Sequence, residues 1–234
     1  IVAADLGNIG FSVGRFYTPF GLYYSHFING PLLEFTETRR DMFQVDYDFE
    51  DRIEFFVFAF DGITREKGKS SNDIGWGYGA DAFFMDGRLN VGFGYQSNIA
   101  ESDEEYLREE NHIYHNKVGA WNLYGVYEAD SWDVSFEAIK ATGRFYEFDR
   151  VEDKPESWNL EAAYFPRNLF PNSDFLNNNI EIAFRYERSK ELIDEPERQY
   201  GVALTWRLFN KISMTAEYLR ADYRKNFVEE DDDT

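Results

Sequence analysis

Apolar and polar side chains alternate along most of the chain, in segments of about ten residues. Segment 180–187 shows the pattern most clearly, because Ile180, Ile182, Phe184 and Tyr186 occupy every second position. Successive side chains of a β-strand point to opposite faces, so the alternation predicts strands with one apolar and one polar face. Soluble sandwiches and membrane barrels share this pattern, and the connections between strands help to decide between them.

Tight turns and long charged loops alternate between the predicted strands. We predict eleven strands, at residues 7–17, 41–49, 52–60, 73–85, 88–97, 117–128, 131–142, 156–165, 179–189, 198–208 and 211–224. The tight turns are 50–51, 86–87, 129–130 and 209–210, with 166–178 as a longer member of that set. The long loops are 18–40, 61–72, 98–116, 143–155, 190–197 and the residues from 225 onward. This asymmetry between the two ends of a sheet is typical of an outer-membrane β-barrel.

The two faces of the predicted strands differ in charge. One face carries large apolar side chains, which would meet lipid in a barrel. The other carries the residues that we predict to line a lumen: Asp46, Asp48, Arg52, Glu54, Asp81, Asp133, Glu137, Glu161, Glu181, Arg185, Glu187, Arg207 and Glu217. It also carries small residues that would leave room inside or permit close backbone approach: Gly75, Gly77, Gly79, Gly92, Gly94 and Gly201. Arg15 falls in phase with apolar Phe11 and Val13, so we expect the alternation to break there.

These patterns predict an all-β protein, an antiparallel up-and-down transmembrane β-barrel in the outer membrane of a Gram-negative cell. We expect one barrel domain over residues 1–225, followed by an acidic external loop or tail over 226–234. The acidic ending would leave a sheet edge open, so we expect a fragment of a parent barrel with about 12 to 16 strands. No signal peptide is visible in the sequence, which also favours a mature or truncated chain.

The composition narrows the partners and the chemistry. A net charge of −20 argues against nucleic acid or an anionic membrane surface as a partner. We expect contact with outer-membrane lipid and lipopolysaccharide, passage of a small-molecule solute, and an oligomer or partner protein as an open possibility. The absence of cysteine excludes thiolate metal sites and disulfides within the chain. Forty-four aromatic residues in total (16 Tyr, 23 Phe and 5 Trp) suit strands and interfacial belts.

A segment near the amino end resembles a porin signature. Gly14, Arg15, Pro19, Phe20 and Gly21 match the pattern G-R-x-x-x-P-F-G of the phosphate-selective porins O and P and of the LbtU-type siderophore porins. The continuation, with Pro31, Glu37, Thr38 and Arg39, resembles the second group more closely. The resemblance covers about residues 7–62 and implies an outer-membrane barrel that passes iron chelates or other small solutes. The amino-terminal coiled coil of that family is absent from this sequence, and Asn29-Gly30 replaces the usual Asp before Pro31.

The balance of charge on the predicted inner face favours cations. With Glu128 added, eleven carboxylates oppose three arginines there, whereas a phosphate pore would need a basic ladder. Arg39, Arg40 and Arg185 would either meet an anionic ligand or pair with neighbouring acids. Loop 18–40 is apolar for an external loop, and it would either fold into the lumen as a constriction or pack on the rim.

The sequence offers little for catalysis or metal binding. His112 and His115 are spaced like metal ligands but lie in a predicted loop. The acidic runs 103–105 and 229–233 would either hold divalent cations shared with lipopolysaccharide phosphates or form solvated loops. No G-x-S-x-G motif is present, so we predict no enzyme, no cofactor and no metal. A porin for small hydrophilic solutes is our prediction. The alternatives are a structural sheath around a partner such as a multihaem cytochrome, and a soluble ligand-binding β-barrel.

Overall fold

Twelve strands form one sheet in the computed structural model, which describes residues 1–103, 113–147, 153–166, 179–192, 195–209 and 212–223. The first six strands of the sheet are β1 (Val2–Leu6), β2 (Ile9–Tyr17), β3 (Arg39–Phe49), β4 (Ile53–Asp61), β6 (Ile74–Phe84) and β7 (Leu89–Gln96). The other six are β9 (Ala120–Glu128), β10 (Trp132–Ala141), β11 (Glu156–Tyr164), β12 (Ile180–Lys190), β13 (Arg198–Phe209) and β14 (Ile212–Asp222). Two short strands, β5 (Arg65–Glu66) and β8 (Ile113–Tyr114), pair in parallel outside this sheet. Single turns of 3₁₀-helix cover Leu32–Thr36 and Ile99–Glu101.

Each strand of the large sheet pairs antiparallel with the next one along the chain, from β1 to β14. The predicted antiparallel up-and-down architecture is therefore confirmed. Short connections, such as 50–52, 85–88 and 129–131, all lie at one end of the sheet, which we call the short-turn end. The long connections, such as 18–38 and 97–119, lie at the other, which we call the long-loop end.

The structure corrects the prediction for the first strands. Eleven strands were expected in the sheet and twelve are present, because β1 pairs with β2 through a tight turn at Gly7 and Asn8. Gly7 has a φ of 62°, which suits glycine, while the two alanines at positions 3 and 4 weaken the alternation that marks a strand. The alternation does not break at Arg15. This residue stays on the face of Val13 and is exposed at the long-loop end of β2, opposite Asp41.

Burial is inverted relative to a water-soluble protein. On one face of the sheet, large apolar side chains such as Phe55 and Phe184 are 49% and 51% exposed. On the other face, Glu161 and Arg185 are only 1% and 3% exposed. Charged residues are almost never fully buried in soluble domains unless they are paired. The apolar outer face and the polar inner face are the arrangement expected when hydrocarbon surrounds the sheet. Within the described ranges, no helix is long and apolar enough to cross a bilayer.

Aromatic side chains border the outer face at both ends. Near the long-loop end, the ring centroids of Trp76 and Tyr95 lie 5.4 Å apart, and those of Tyr95 and Trp121 lie 4.7 Å apart. Near the short-turn end, Trp132 and Tyr164 lie 4.5 Å apart. Tyr and Trp prefer the two interfaces of a membrane, since each ring has an apolar body and a polar tip. The rows therefore mark the borders of an apolar belt.

Candidate functional site

Loop 18–38 turns inward and lies against the inner face of the sheet; we call it the inward loop. Its two ends meet at the long-loop end, where the backbone N–H of Thr18 donates to the carbonyl of Thr38 at 2.8 Å. Between these ends the loop makes contacts with glutamates of β10, β11, β12 and β14. Of the two positions that the sequence left open, the structure shows the inward one.

Two glutamates accept successive backbone N–H groups of the inward loop. Glu137 of β10 accepts from Leu22 at 2.7 Å and from Tyr23 at 2.8 Å, one to each carboxylate oxygen. Glu217 of β14 accepts in the same way from Ile28 and Asn29. The contacts of Leu22 and Tyr23 are partly buried, whereas those of Ile28 and Asn29 are exposed. Backbone N–H groups that leave water require acceptors, and hydrogen bonds to an ionised carboxylate are about twice as strong as neutral ones. The loop has no sheet partner here, so the carboxylates supply the acceptors that a strand would have given.

Arg185 of β12 joins two further glutamates to the same loop. Its Nε lies 3.0 Å from Glu161, and a terminal nitrogen lies 3.5 Å from Glu187. The same guanidinium donates to the carbonyls of Asn29 at 2.7 Å and Gly30 at 3.1 Å. Acceptors within the chain thus take up the charge and the N–H donors of Arg185, so the role of this arginine here is structural.

The two glutamates beside Arg185 also hold the loop directly. Glu161 accepts the backbone N–H of His26 and the hydroxyl of Ser25, the latter at 3.1 Å. Glu187 accepts the backbone N–H of Leu32 at 2.8 Å. The part of the loop that runs inward (the descending arm) and the part that runs back (the returning arm) are therefore attached to the neighbouring strands β11 and β12.

Phe27 anchors the deepest part of the inward loop on a row of alanines. Ala163, Ala183 and Ala203 lie directly opposite one another on β11, β12 and β13, and all are buried. The ring of Phe27 packs on this row, with the carbon of the Arg185 guanidinium 4.1 Å from its centroid. Small side chains are needed on the sheet for the loop to approach so closely.

His26 lies among carboxylates on the inner face. Its Nδ1 is 2.6 Å from Glu181 and its Nε2 is 3.8 Å from Asp133, while its ring packs edge-on against Tyr24. Burial lowers the pKa of His26, but the hydrogen bond to Glu181 and the surrounding carboxylates raise it, and the net shift is upward. The protonated imidazolium is therefore favoured. Glu181 also pairs with Arg207 at 2.8 Å.

An apolar cluster lies between the inward loop and the inner face near the long-loop end. Phe20, Leu33 and Phe35 of the inward loop are buried in one cluster that also contains members of β4 and β10, among them Phe58 and Ile139. The phenyl rings of β4 lie over the glycines of β6, where an added Cβ would clash with them. The glycine row on the inner face therefore makes room for the rings Phe56, Phe58 and Phe60, and not for an open lumen.

The base of the inward loop is fixed by a buried polar network that includes motif residues. Gln96 accepts from the hydroxyl of Thr18 at 3.0 Å and donates to that of Thr38 at 3.1 Å. Arg40 pairs with Asp103 at 2.6 Å. Arg39 points to the outer face instead, with its guanidinium carbon 5.8 Å from the ring centroid of Tyr17.

A second group of carboxylates, near the short-turn end, is not used by the loop. Asp48 of β3, Glu54 of β4 and Asp81 of β6 lie directly opposite one another, and Asp46 is two positions from Asp48. We call these four residues the acid row. Asp46 accepts from Gln44 at 2.6 Å, and Asp81 accepts from the hydroxyl of Tyr124. Within the described ranges, none of the four forms an ion pair with Lys, Arg or His.

The structure places every predicted lumen residue except Arg52 on the inner face. Arg52 lies in the turn between β3 and β4 and is exposed. No pattern in the sequence indicated that five of the glutamates hold a loop, nor that Ser25, His26 and Phe27 are central to this contact. The apolar character of loop 18–40 was the only available signal.

The predicted histidine pair is only partly described. His112 lies outside the described residues. His115 hydrogen-bonds to Glu147 at 2.8 Å and to Lys67 at 3.2 Å. In the described part of the chain, no three His, Asp or Glu side chains are grouped to hold a metal.

An antiparallel up-and-down sheet with an apolar outer face, a polar inner face and an inward loop has the fold of the outer-membrane porin class. Solved structures of that class share the fold. The anion-selective porin from Comamonas acidovorans is similar with a TM-score of 0.64 and 10% identity, over 94% of this chain and 66% of that one. The channel DcaP of Acinetobacter baumannii has a TM-score of 0.57 and 12% identity, over 91% and 64%. OmpT of Vibrio cholerae has a TM-score of 0.54 and 15% identity, over 94% and 68%.

Comparison of sequences adds one relative. A protein of Coxiella burnetii described as "UPF0422 protein" is 22% identical over 244 residues, which cover 97% of this chain and 51% of the relative. The chain thus spans about half the length of that relative. No family model matches the chain. The fold is that of Gram-negative outer-membrane porins, and the resemblance to LbtU-type siderophore porins stays a hypothesis.

Proposed function

We propose that this chain forms part of an outer-membrane channel for small hydrophilic solutes, which the inward loop narrows. The carrying observation is that the loop crosses the inner face of β10–β14 and is held there by charged side chains. A loop attached by several strong hydrogen bonds keeps its position against flowing solvent. The solute path then runs along the part of the inner face that the loop leaves uncovered.

The acid row is our candidate for the filter of this channel. The glutamates that hold the loop are already compensated by N–H groups, Arg185 and His26, so they contribute less to selectivity than their number suggested. The acid row has no such cation partner within the described ranges. Carboxylates in a water-filled passage attract cations and repel anions. We therefore propose a preference for cations, and no covalent step.

Two narrower proposals concern the solute that passes and the lipid that the barrel contacts. Iron–siderophore passage rests on the resemblance of residues 14–39 alone, and contact with lipopolysaccharide rests on the outer-membrane fold. The sheath alternative needs an inner face open to a partner chain, and the inward loop already covers β10–β12. The soluble-barrel alternative conflicts with the exposed apolar outer face, which includes Phe55 and Phe184.

Reversal potentials in planar bilayers under a salt gradient test this proposal. We expect cation selectivity for the unmodified protein. The triple variant D48N/E54Q/D81N should move the reversal potential toward zero by more than half. The matched control D41N/D61N/D222N removes three carboxylates from exposed positions of the outward-facing set and should leave the potential unchanged. Anion selectivity of the unmodified protein, or equal shifts in both variants, would refute the acid row as the filter.

A further inference from the structure

Basic side chains gather on the outer face at the long-loop end, although the chain as a whole has 24 Lys and Arg against 44 Asp and Glu. Arg188 of β12, Arg198 of β13 and Arg220 of β14 lie there on adjacent strands. We call these three residues the arginine cluster. All three are exposed. Such a concentration of positive charge in an acidic protein calls for an anionic neighbour.

The register of the strands places the members of the cluster close together. Arg188 is directly opposite Arg198, and Arg220, which is opposite Tyr200, is the diagonal neighbour of Arg198. Directly opposite residues of an antiparallel pair have Cβ atoms about 4.5–5.5 Å apart, and like charges at such positions destabilise the sheet. Asp222, which is directly opposite Arg198 on its other side, supplies one carboxylate to the three arginines. The cluster therefore keeps a net positive charge, and the pairing of Arg188 with Arg198 stays unfavourable without a further anion.

The chain supplies little compensation for this charge. Arg220 lies 3.8 Å from Asp222, and both side chains are largely exposed. Arg188 and Arg198 take part in no ion pair with the described residues. The neighbouring lysines differ in this respect, since Lys140 pairs with Glu156 at 2.8 Å and Lys190 with Glu191 at 3.3 Å. Free guanidinium groups are thus concentrated on β12 and β13.

The cluster borders the apolar belt directly. Tyr186 precedes Arg188 by two positions on the same face, Tyr200 follows Arg198 in the same way, and their ring centroids are 5.0 Å apart. Trp158, opposite Arg188, completes the aromatic row. Aromatic rows of this kind mark the level of lipid headgroups, so the guanidinium groups lie at or just beyond that level.

The other end of the same strands has a different character. Its outward residues on β10, β11 and β13 are Trp132, Tyr164 and Trp206, and Ile212 follows on β14. Among the described outward residues of that end, none is Lys or Arg. A lipid partner with anionic headgroups on one leaflet would explain why the basic cluster is confined to one end.

We propose that the arginine cluster binds a phosphate group on the headgroup of an outer-leaflet lipid. Arg188 and Arg198 would each offer a planar fork of N–H donors to the phosphate oxygens, a geometry in which arginine exceeds lysine. The acyl chains of the same lipid would lie against the apolar belt below. This inference rests on the proposed function for the orientation of the barrel, and it adds a lipid site on the surface that faces away from the lumen.

The test measures how much lipid A the detergent-purified protein retains after gel filtration, determined by mass spectrometry. Bisphosphorylated lipid A is compared with chemically dephosphorylated lipid A, and a third sample contains excess inorganic phosphate. We expect clear retention of the phosphorylated lipid only, and about a tenfold loss in R188Q/R198Q. The control R88Q/K69Q removes two exposed cations away from this face and should retain lipid A like the unmodified protein. Circular dichroism, and the difference in electrophoretic mobility between heated and unheated samples, verify that each variant is folded.

Three outcomes would overturn the lipid site. Equal retention of both lipids would show that acyl chains alone account for binding, and an equal loss in the control would show a general effect of net charge. Displacement by inorganic phosphate would assign the cluster to the free anion. Bilayer conductance of the same preparations separates the two proposals. A conducting protein that ignores lipid A phosphates refutes only the lipid site, whereas a lipid-binding protein that does not conduct refutes only the channel.

Discussion

Replacing Glu137 with glutamine should release the descending arm of the inward loop. The two oxygens of Glu137 accept from Leu22 and Tyr23, and the first also accepts from the side chain of Asn122 at 2.7 Å. Glutamine is uncharged and presents one NH₂ group where an acceptor is needed. Hydrogen bonds to a charged group contribute about 1.5–3 kcal/mol each, and an unsatisfied buried donor adds a penalty of similar size. We expect docking of this arm to weaken by about 2–3 kcal/mol.

Hydrogen exchange of the Leu22 and Tyr23 amides measures this loss directly. A weakening of about 2–3 kcal/mol corresponds to exchange roughly 30 to 150 times faster. Glu128→Gln is the matched control, because Glu128 also faces inward but is exposed near the short-turn end of β9. Unchanged exchange in Glu137→Gln, or equal acceleration in the control, would refute the reasoning that carboxylates hold the loop.

Three further substitutions test other contacts on the inner face. Arg185→Met should lower the free energy of unfolding by about 3–5 kcal/mol, since it leaves Glu161 and Glu187 buried without a cation. An unchanged free energy of unfolding, measured by denaturation in detergent, would contradict this. Gly77→Ala should cost about 1–3 kcal/mol in the same assay, because the new methyl group meets the ring of Phe58 and the backbone carbonyl of Tyr95, whereas Gly143→Ala, where no atom lies within 4 Å of the added Cβ, should cost less. The raised pKa of His26 means that its ion pairs stabilise the docked loop fully below about pH 6.5 and lose this effect as pH rises through the raised value. Single-channel noise should therefore increase with pH in the unmodified protein and not in His26→Gln; parallel pH profiles would exclude this role.

The sheet was predictable because its pattern is local. Alternation within each segment places apolar residues on one face, and strands such as β12 need no information from elsewhere in the chain. The alternation did not indicate β1, because Ala3 and Ala4 show too little contrast in hydrophobicity. It also misjudged Arg15, because an arginine in an apolar phase is acceptable at the end of a strand that leaves the lipid.

The docking of the inward loop could not be predicted from the sequence, because its contacts join residues that are far apart in the chain. Leu22 and Glu137 are 115 positions apart, and Ile28 and Glu217 are 189 apart. No periodicity links a backbone N–H group to a carboxylate on a distant strand. The predicted excess of inner-face carboxylates took no account of the loop, from which several of these carboxylates accept hydrogen bonds.

The position of the inward loop inside the channel is the central claim, and single-channel conductance tests it most directly. A variant in which a short Gly-Ser linker replaces residues 22–34 retains the base at Thr18 and Thr38 and the sheet. We expect a stable channel with a conductance several times that of the unmodified protein, because the interior beside β10–β14 is then open to ions. An unchanged conductance, with the variant folded, would contradict the account.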